Sequence, residues 1–175
     1  MRKLFALFLA AILLSVSCAA NTESLYSKMN VSYASLSTKA RQQVECLAQN
    51  IYFEAGKEVY TGQLAVAFVT LRRVDSGHYP NSICGVVRQK TESTCQFSWW
   101  CEADKQRKAT KYEYTANERQ LYNQVRKVAL TAYLNWEDMK DPTKGAEFYH
   151  NTSVKPGWKL RKTVQIGNHI FYKRS

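Results

Sequence analysis

Six consecutive apolar residues, Leu64-Ala65-Val66-Ala67-Phe68-Val69, sit inside a segment that reads as helix from about Thr61 to Ser76. A helix with no polar face has no side to show to water, so other elements must surround it. The flanking segments are suited to that task. Between Thr38 and Ala55, Val44, Leu47, Ala48, Ile51, Tyr52 and Ala55 recur at the i, i+3, i+4, i+7 spacing of one helix face. Ser37 or Thr38 is placed to cap this helix, and Gly56 to end it. From about Ala116 to Trp136, Leu121, Val125, Val128, Ala129, Ala132 and Trp136 make another stripe.

The remainder changes character twice. From Gly77 to Lys111 the chain reads as irregular, with Pro80, three cysteines and the cluster Phe97-Ser98-Trp99-Trp100. A loop of that length in a compact domain is usually functional or stapled. Glu147–His150 reads as a strand, and Thr163–Ile166 and His169–Tyr172 flank the two-residue turn Gly167-Asn168 as a hairpin. The fold class is therefore α+β: a helical body with a small antiparallel sheet.

Domain organisation follows from the N-terminus. Met1-Arg2-Lys3 precedes an apolar run of 11 residues, Leu4 to Leu14, and then the small residues Ser15, Ser17, Ala19 and Ala20. That is the layout of an export signal, and the run is too short for a bilayer span of roughly 20 residues. No other long apolar run exists, so no membrane span is expected. Residues 1–20 are read as a secretion signal, 21–37 as an N-terminal arm and 38–175 as one domain. A lipid anchor at Cys18 is the disfavoured alternative, because Ser15 stands where lipoprotein signals prefer a large aliphatic residue. The remaining cysteines, Cys46, Cys84, Cys95 and Cys101, are even in number, as in an exported chain with disulfides. Sequence leaves their 3 possible pairings open. Without a C-x-x-C or a close histidine pair, neither a metal nor any other cofactor is expected. The net charge is +11, of which Arg2 and Lys3 account for two, leaving +9 after the signal. An anionic partner follows, whether nucleic acid, a membrane surface or a bacterial wall polymer, and export points away from nucleic acid. The chain is expected to act as a monomer.

One carboxylate stands out. On a helical wheel of about 100° per residue, Glu54 falls beside Leu47 at the edge of the apolar stripe, in the last turn of its helix. Partial burial and the negative end of the helix dipole both favour the protonated acid. A glutamic acid still protonated near neutral pH is what glycosidic cleavage requires, because the leaving oxygen must receive a proton. The competing reading is an ordinary solvated or salt-bridged glutamate.

The residues around it carry more information. Ile51-Tyr52-Phe53-Glu54-Ala55, Gly62-Gln63-Leu64-Ala65-Val66-Ala67, Arg73-Val74, and Pro80-Asn81 through Val86-Val87-Arg88-Gln89 occur in that order. Downstream come Cys95-Gln96-Phe97-Ser98-Trp99, Gly145 to Asn151, and Ile166-Gly167-Asn168-His169-Ile170-Phe171-Tyr172. Together, over about residues 44–173, they resemble the spore-cortex-lytic (SleB-type) cell wall hydrolases. The chain departs from that family at Arg72, where asparagine is common, and no separate repeat-type wall-binding domain is expected beside the catalytic one. The resemblance implies a lysozyme-like fold, peptidoglycan as partner, and cleavage between N-acetylmuramic acid and N-acetylglucosamine by a lytic transglycosylase with Glu54 as its catalytic residue. Such an enzyme needs one carboxylate, since the muramic 6-hydroxyl attacks its own sugar and closes an anhydro ring. Glu58, Asp75 and Glu92 read as surface acids. Gln96, Tyr149, His150 and Asn151 are candidates to bind sugar through amide, phenol and ring nitrogens, although His150 and Asn151 would equally cap a strand end. Trp99, Trp100 and Trp158 offer flat faces for sugar rings or serve as core. The rival readings are a hydrolytic muramidase, a zinc amidase acting on stem peptides (disfavoured by three histidines without metal-ligand spacing), and a non-catalytic basic wall-binding module.

Overall fold

The computed structural model describes residues 33–175. The expected signal at 1–20, Cys18 and the greater part of the 21–37 arm lie outside the described residues. Residues 33–35 are helical. The unit from Thr38 to Ser175 contains α1 (Thr38–Ala55), α2 (Tyr60–Asp75), α3 (Ile83–Val87), α4 (Ser98–Cys101), α5 (Ala103–Lys111) and α6 (Ala116–Asn135). These precede β1 (Phe148–Asn151), β2 (Arg161–Ile166) and β3 (His169–Lys173).

As its sequence requires, α2 is buried without a break from Gly62 to Leu71. α1, α3 and α6 pack around it. α1 buries Val44, Leu47, Ala48, Ile51 and Ala55, and α6 buries Val125, Val128, Ala129 and Ala132. Each large side chain so enclosed contributes about 1.5–3 kcal/mol. α6 opens on a capping box: the Thr115 hydroxyl accepts from the Glu118 amide, and the Glu118 carboxylate accepts from Thr115.

The sheet closes the remaining side. Its order is β1-β3-β2, all antiparallel, so the last strand is central. Phe171 of β3 is fully buried with Ala65 and Val69 of α2 and Ala146, and Tyr149, Val164 and Ile166 pack against this cluster. The hairpin turn falls at Gly167-Asn168 as read. Gly167 has φ +54°, the first central position of a two-residue hairpin turn. A Cβ there would also collide with a carboxylate oxygen of Glu58. Glu58 is thus more than a surface acid: it accepts from the Asn168 backbone amide (3.2 Å) and side-chain amide (2.9 Å), pinning the hairpin to the α1–α2 connection.

One expectation is corrected. The stretch 77–111 contains α3, α4 and α5. The first two are too short to show a period, and α5 buries only Ala109, so it carries no apolar stripe. Gly56 does end α1, but not through a left-handed φ, since it is absent from the positive-φ glycines Gly77, Gly145 and Gly167. A Cβ at Gly56 would instead meet the Tyr52 carbonyl oxygen at 2.5 Å. Arg72, the departure from the family pattern, serves a turn: it donates to Asp141 at 2.9 Å, and Asp141 also accepts from the Thr143 and Gly145 amides. That fixes the approach to β1.

The cysteines pair as Cys46–Cys84 and Cys95–Cys101, with sequence separations of 38 and 6. The first joins α1 to α3, and the second closes a small ring that holds Phe97 and Trp99. Chain entropy assigns about 4 kcal/mol to the longer loop and about 2 to the shorter. Thiol titration of the denatured, unreduced protein should find none of these four cysteines free. Replacing Cys46 and Cys84 by alanine should lower the melting temperature about twice as far as replacing Cys95 and Cys101, measured by calorimetry.

Candidate active site

Glu54 stands one residue before the end of α1, where the helix meets the sheet. Its carboxylate accepts a hydrogen bond from the Tyr149 hydroxyl of β1 at 3.1 Å. The residue still reaches solvent in part, while enough protein surrounds the carboxyl to shift its titration. Burial raises its pKa. The Tyr149 hydrogen bond and the positive charges of Arg73 and Lys105 pull it down, Glu102 pushes it up, and the net shift is upward. Tyr149 has its own pKa raised well above the ordinary phenol value, by burial and by the charge of Glu54, so it remains a donor across the working range.

Arg73 was legible only as a motif residue at the polar end of α2. The structure buries it, at 4% exposure. Its guanidinium lies between the Tyr79 ring (5.3 Å) and the Phe97 ring (5.2 Å), and Nε donates to the Glu147 carbonyl at 2.7 Å. Nη1 has no hydrogen-bond partner among the described residues. Burial lowers the Arg73 pKa, and Tyr149, Tyr79 and Glu54 raise it in turn; an arginine does not surrender its proton in a protein. The charge of this fixed cation acts on both the acid and its phenol. No sequence signal short of the family motif could have found it, because its partner Glu147 is 74 residues away.

Gln63 explains another motif position. Buried, it donates to the carbonyls of Gly56 (3.2 Å) and Glu58 (3.0 Å). It satisfies backbone acceptors where α1 ends, which holds the helix terminus that carries Glu54.

The other sequence candidates separate. Gln96 is exposed and, with Gln89, Lys90, Thr91, Thr94 and Cys95, lines a recess of about 300 Å³. Its neighbour Phe97 is the ring under Arg73. His150 points to the sheet face opposite Tyr149, with Nδ1 on the Asn151 carbonyl (2.8 Å) and Nε2 on the Tyr172 hydroxyl (2.9 Å). Asn151 accepts from the Ser153 amide (3.0 Å) and shapes the turn after β1. Trp99 is core: it is 2% exposed, stacks on Phe53 at 4.5 Å and donates to Asn50 at 3.0 Å. Trp100 lies under the Arg88 guanidinium. Trp158 is 45% exposed on the same outer face as His150.

Among the described residues no helix is long and apolar enough to cross a membrane, and no three His, Cys, Asp or Glu side chains gather as a metal site.

The sequence pattern of the cell wall hydrolase family matches residues 57–172. The chain belongs to this family. The match begins three residues after Glu54, so it covers Arg73, Gln96 and Tyr149 but not the acid. The spore cortex-lytic enzymes of Bacillus subtilis (strain 168) and Bacillus cereus are each 31% identical to this member, over 131 and 137 residues. The alignments cover 73% and 77% of this chain, but only 36% and 45% of those proteins. The chain thus spans less than half the length of the curated relatives it matches. Among solved structures, the catalytic domain of the Bacillus cereus SleB protein superposes with a TM-score of 0.54 at 30% identity, covering 76% of this chain and 91% of that one. The catalytic domain of the germination-specific lytic transglycosylase SleB from Bacillus anthracis gives 0.53 at 30% identity, covering 79% and 98%. The lysozyme-like α+β architecture of this cell wall hydrolase is the one shared with those domains.

A raised acid pKa has a stability signature. Folding holds the Glu54 proton more tightly than the unfolded chain does, so stability falls as pH rises from the ordinary carboxylate value through the folded one. Glu54→Gln mimics the protonated form. It should melt higher than the parent at about pH 7, with the difference closing by about pH 4. Equal melting temperatures at both pH values would mean that Glu54 titrates normally.

Proposed function

We propose that this domain cuts the glycan strand of peptidoglycan between N-acetylmuramic acid and N-acetylglucosamine as a lytic transglycosylase, with Glu54 as acid and then base. The observation that carries this reading is the environment of Glu54. Burial pushes the carboxyl's pKa up, the Tyr149 hydroxyl donates to it, and the charge of the buried Arg73 favours the anion once a proton has left. In the first half of the reaction Glu54 gives its proton to the glycosidic oxygen, and the bond to muramic C1 breaks. In the second half the Glu54 anion takes the proton of the muramic 6-hydroxyl, whose oxygen closes on C1. The products are a 1,6-anhydromuramic end and a free N-acetylglucosamine hydroxyl, and no water is consumed. On this reading Gln96, in the recess it lines, would bind sugar through its side-chain amide.

Further support comes from the relatives, one of which is described as a lytic transglycosylase. A non-catalytic wall-binding module would have no use for a glutamate whose pKa is raised by burial. The domain, residues 38–175, would act outside the cytoplasm as a monomer, led there by residues 1–20. The two disulfides suit an oxidising compartment.

One observation favours the hydrolytic alternative. Glu102 lies close enough for its charge to act on Glu54, and a hydrolase needs a second carboxylate to activate water or attack the sugar. Glu102 is, however, largely exposed and engaged by Lys105 at 2.8 Å.

Two outcomes are expected. Glu54→Gln should lower peptidoglycan solubilisation by about 10²–10⁴-fold with the fold retained, whereas activity within a few-fold of the parent would remove Glu54 from the role. Mass analysis of the earliest digest should find anhydro ends, one water lighter than hydrolytic products and inert to borohydride. Predominantly reducible ends that disappear in Glu102→Gln would establish the muramidase instead.

A further inference from the structure

The outer face of the sheet carries a surface that the chemistry at Glu54 does not use. Side chains alternate along β1. Tyr149 turns inward to Glu54, and its neighbours Phe148 and His150 turn outward. There they meet Tyr172 of β3 and Trp158 from the β1–β2 connection. His150 stacks on Tyr172 at 5.3 Å. The Trp158 ring meets Phe148, His150 and Tyr172 at 6.2, 5.6 and 5.9 Å, with interplanar angles of 61°, 79° and 87°. All three are edge contacts. Among the described residues no ring lies parallel to the indole, which stays 45% exposed.

The chain that carries this aromatic patch is strongly basic. From Phe148 to Ser175 the chain has six lysines and arginines and not one aspartate or glutamate. Arg174 pairs with Glu147 at 3.2 Å. Lys155, Lys159, Arg161 and Lys162 are exposed and make no salt bridge among the described residues. Solvated cations need no partner. A run of them without an interspersed acid, around an open indole, is nonetheless complementary to a polymer that is both sugar-faced and anionic. An indole face takes the apolar face of a pyranose ring, and lysines take carboxylates.

We propose that the outer sheet face around Trp158 is a second glycan-binding surface, which holds an uncut peptidoglycan strand through its sugar rings and stem-peptide carboxylates. The proposal rests on the reading of the domain as a peptidoglycan-cleaving enzyme. The strand bound here is not the one at Glu54, because Tyr149 and the buried Phe171 separate the two faces. His150 takes part as a spacer: both ring nitrogens are engaged within the protein, so it supports the patch and does not hydrogen-bond the sugar. The surface would keep the enzyme on an insoluble polymer between cuts and leave the cleavage step itself alone.

The test separates retention from turnover. Binding of the full chain to purified sacculi, stripped of accessory polymers, is measured by sedimentation in the Glu54→Gln background so that the polymer stays intact. Trp158→Ala, and separately the double variant Lys159→Gln/Lys162→Gln, should each weaken binding about 5- to 10-fold, the size expected for one aromatic contact or two ionic ones. The lysine variant should also flatten the salt dependence. With Glu54 restored, turnover of short soluble glycan fragments should stay within about two-fold of the parent, since this surface lies on the sheet face away from Glu54. Trp158 is exposed, so its loss threatens the fold little, and the lysine pair gives an independent reading. Undiminished sacculus binding in both variants would overturn the proposal, as would parallel loss of soluble-fragment turnover. So would binding to phosphatidylglycerol vesicles as tight as to sacculi and equally lost in Trp158→Ala, which would make this a membrane-facing patch. A parent that binds sacculi through Trp158 yet cuts no glycan would uphold the surface and refute the glycosidase reading.

Discussion

The side-chain amide of Asn50 holds together the parts on which the site depends. It is fully buried in α1, yet both its ends are satisfied by groups from elsewhere. Nδ2 donates to the Thr70 hydroxyl of α2 at 3.1 Å, and Oδ1 accepts from the Trp99 indole at 3.0 Å. A buried amide left unpaired would cost about 1–3 kcal/mol, so the three elements must arrive in one arrangement. Glu54 lies four residues further along, one turn of the same helix. Gln49, beside Asn50, does similar work by donating to the Ala109 carbonyl at 3.0 Å. That fastens α5, otherwise a charged helix with little to bury, against the body. Polar groups in the core thus fix the angles between elements, and apolar burial supplies the cohesion.

Around Glu54 the competing effects are balanced by construction. Burial alone would make the carboxyl a reluctant donor. Tyr149 and Arg73 lower the cost of the anion, and neither neutralises it by close pairing: Tyr149 is a neutral phenol, and Arg73 spends Nε on a backbone carbonyl. The guanidinium is itself held between two rings, so its position is set by packing and does not follow the proton. This suits a group that must give up a proton and later take one from a different oxygen. The contrast with Arg72 is instructive. Next in sequence but on another face of α2, it makes a conventional ion pair with Asp141 and serves only a turn.

How much of this could be read in advance depended on the range of the interaction. The three long helices were legible because their apolar spacing is local, and the hairpin because Gly167-Asn168 is a local turn. Glu54 was legible as a stripe-edge acid in a helix's last turn, and its family context strengthened that. Tyr149 was named as a candidate from family context, but its bond to Glu54 spans 95 residues and nothing in the spacing announces it. Arg73 was missed because an arginine after an apolar run looks like the helix turning outward, and only the fold shows that β1 and Phe97 cover it. Helix α5 was missed because its anchors, Ala109 and the Gln49 bond, are tertiary. The cysteine pairing was open for the same reason: Cys46 and Cys84 are brought together by the packing of α1 on α3, not by anything in their spacing.

The alternation of β1 has an evolutionary consequence. In a strand, neighbouring residues belong to opposite sides, so Phe148-Tyr149-His150 is a reading frame of period two shared by the interior and the exterior. Adding or removing one residue between Gly145 and Tyr149 would turn the phenol away from the acid and bring a ring from the outer patch inward. Point substitutions on either side can accumulate independently, but length changes cannot. Descent in this part of the chain should therefore tolerate insertions in the 152–160 connection, which sets no frame, and reject single-residue changes before β1.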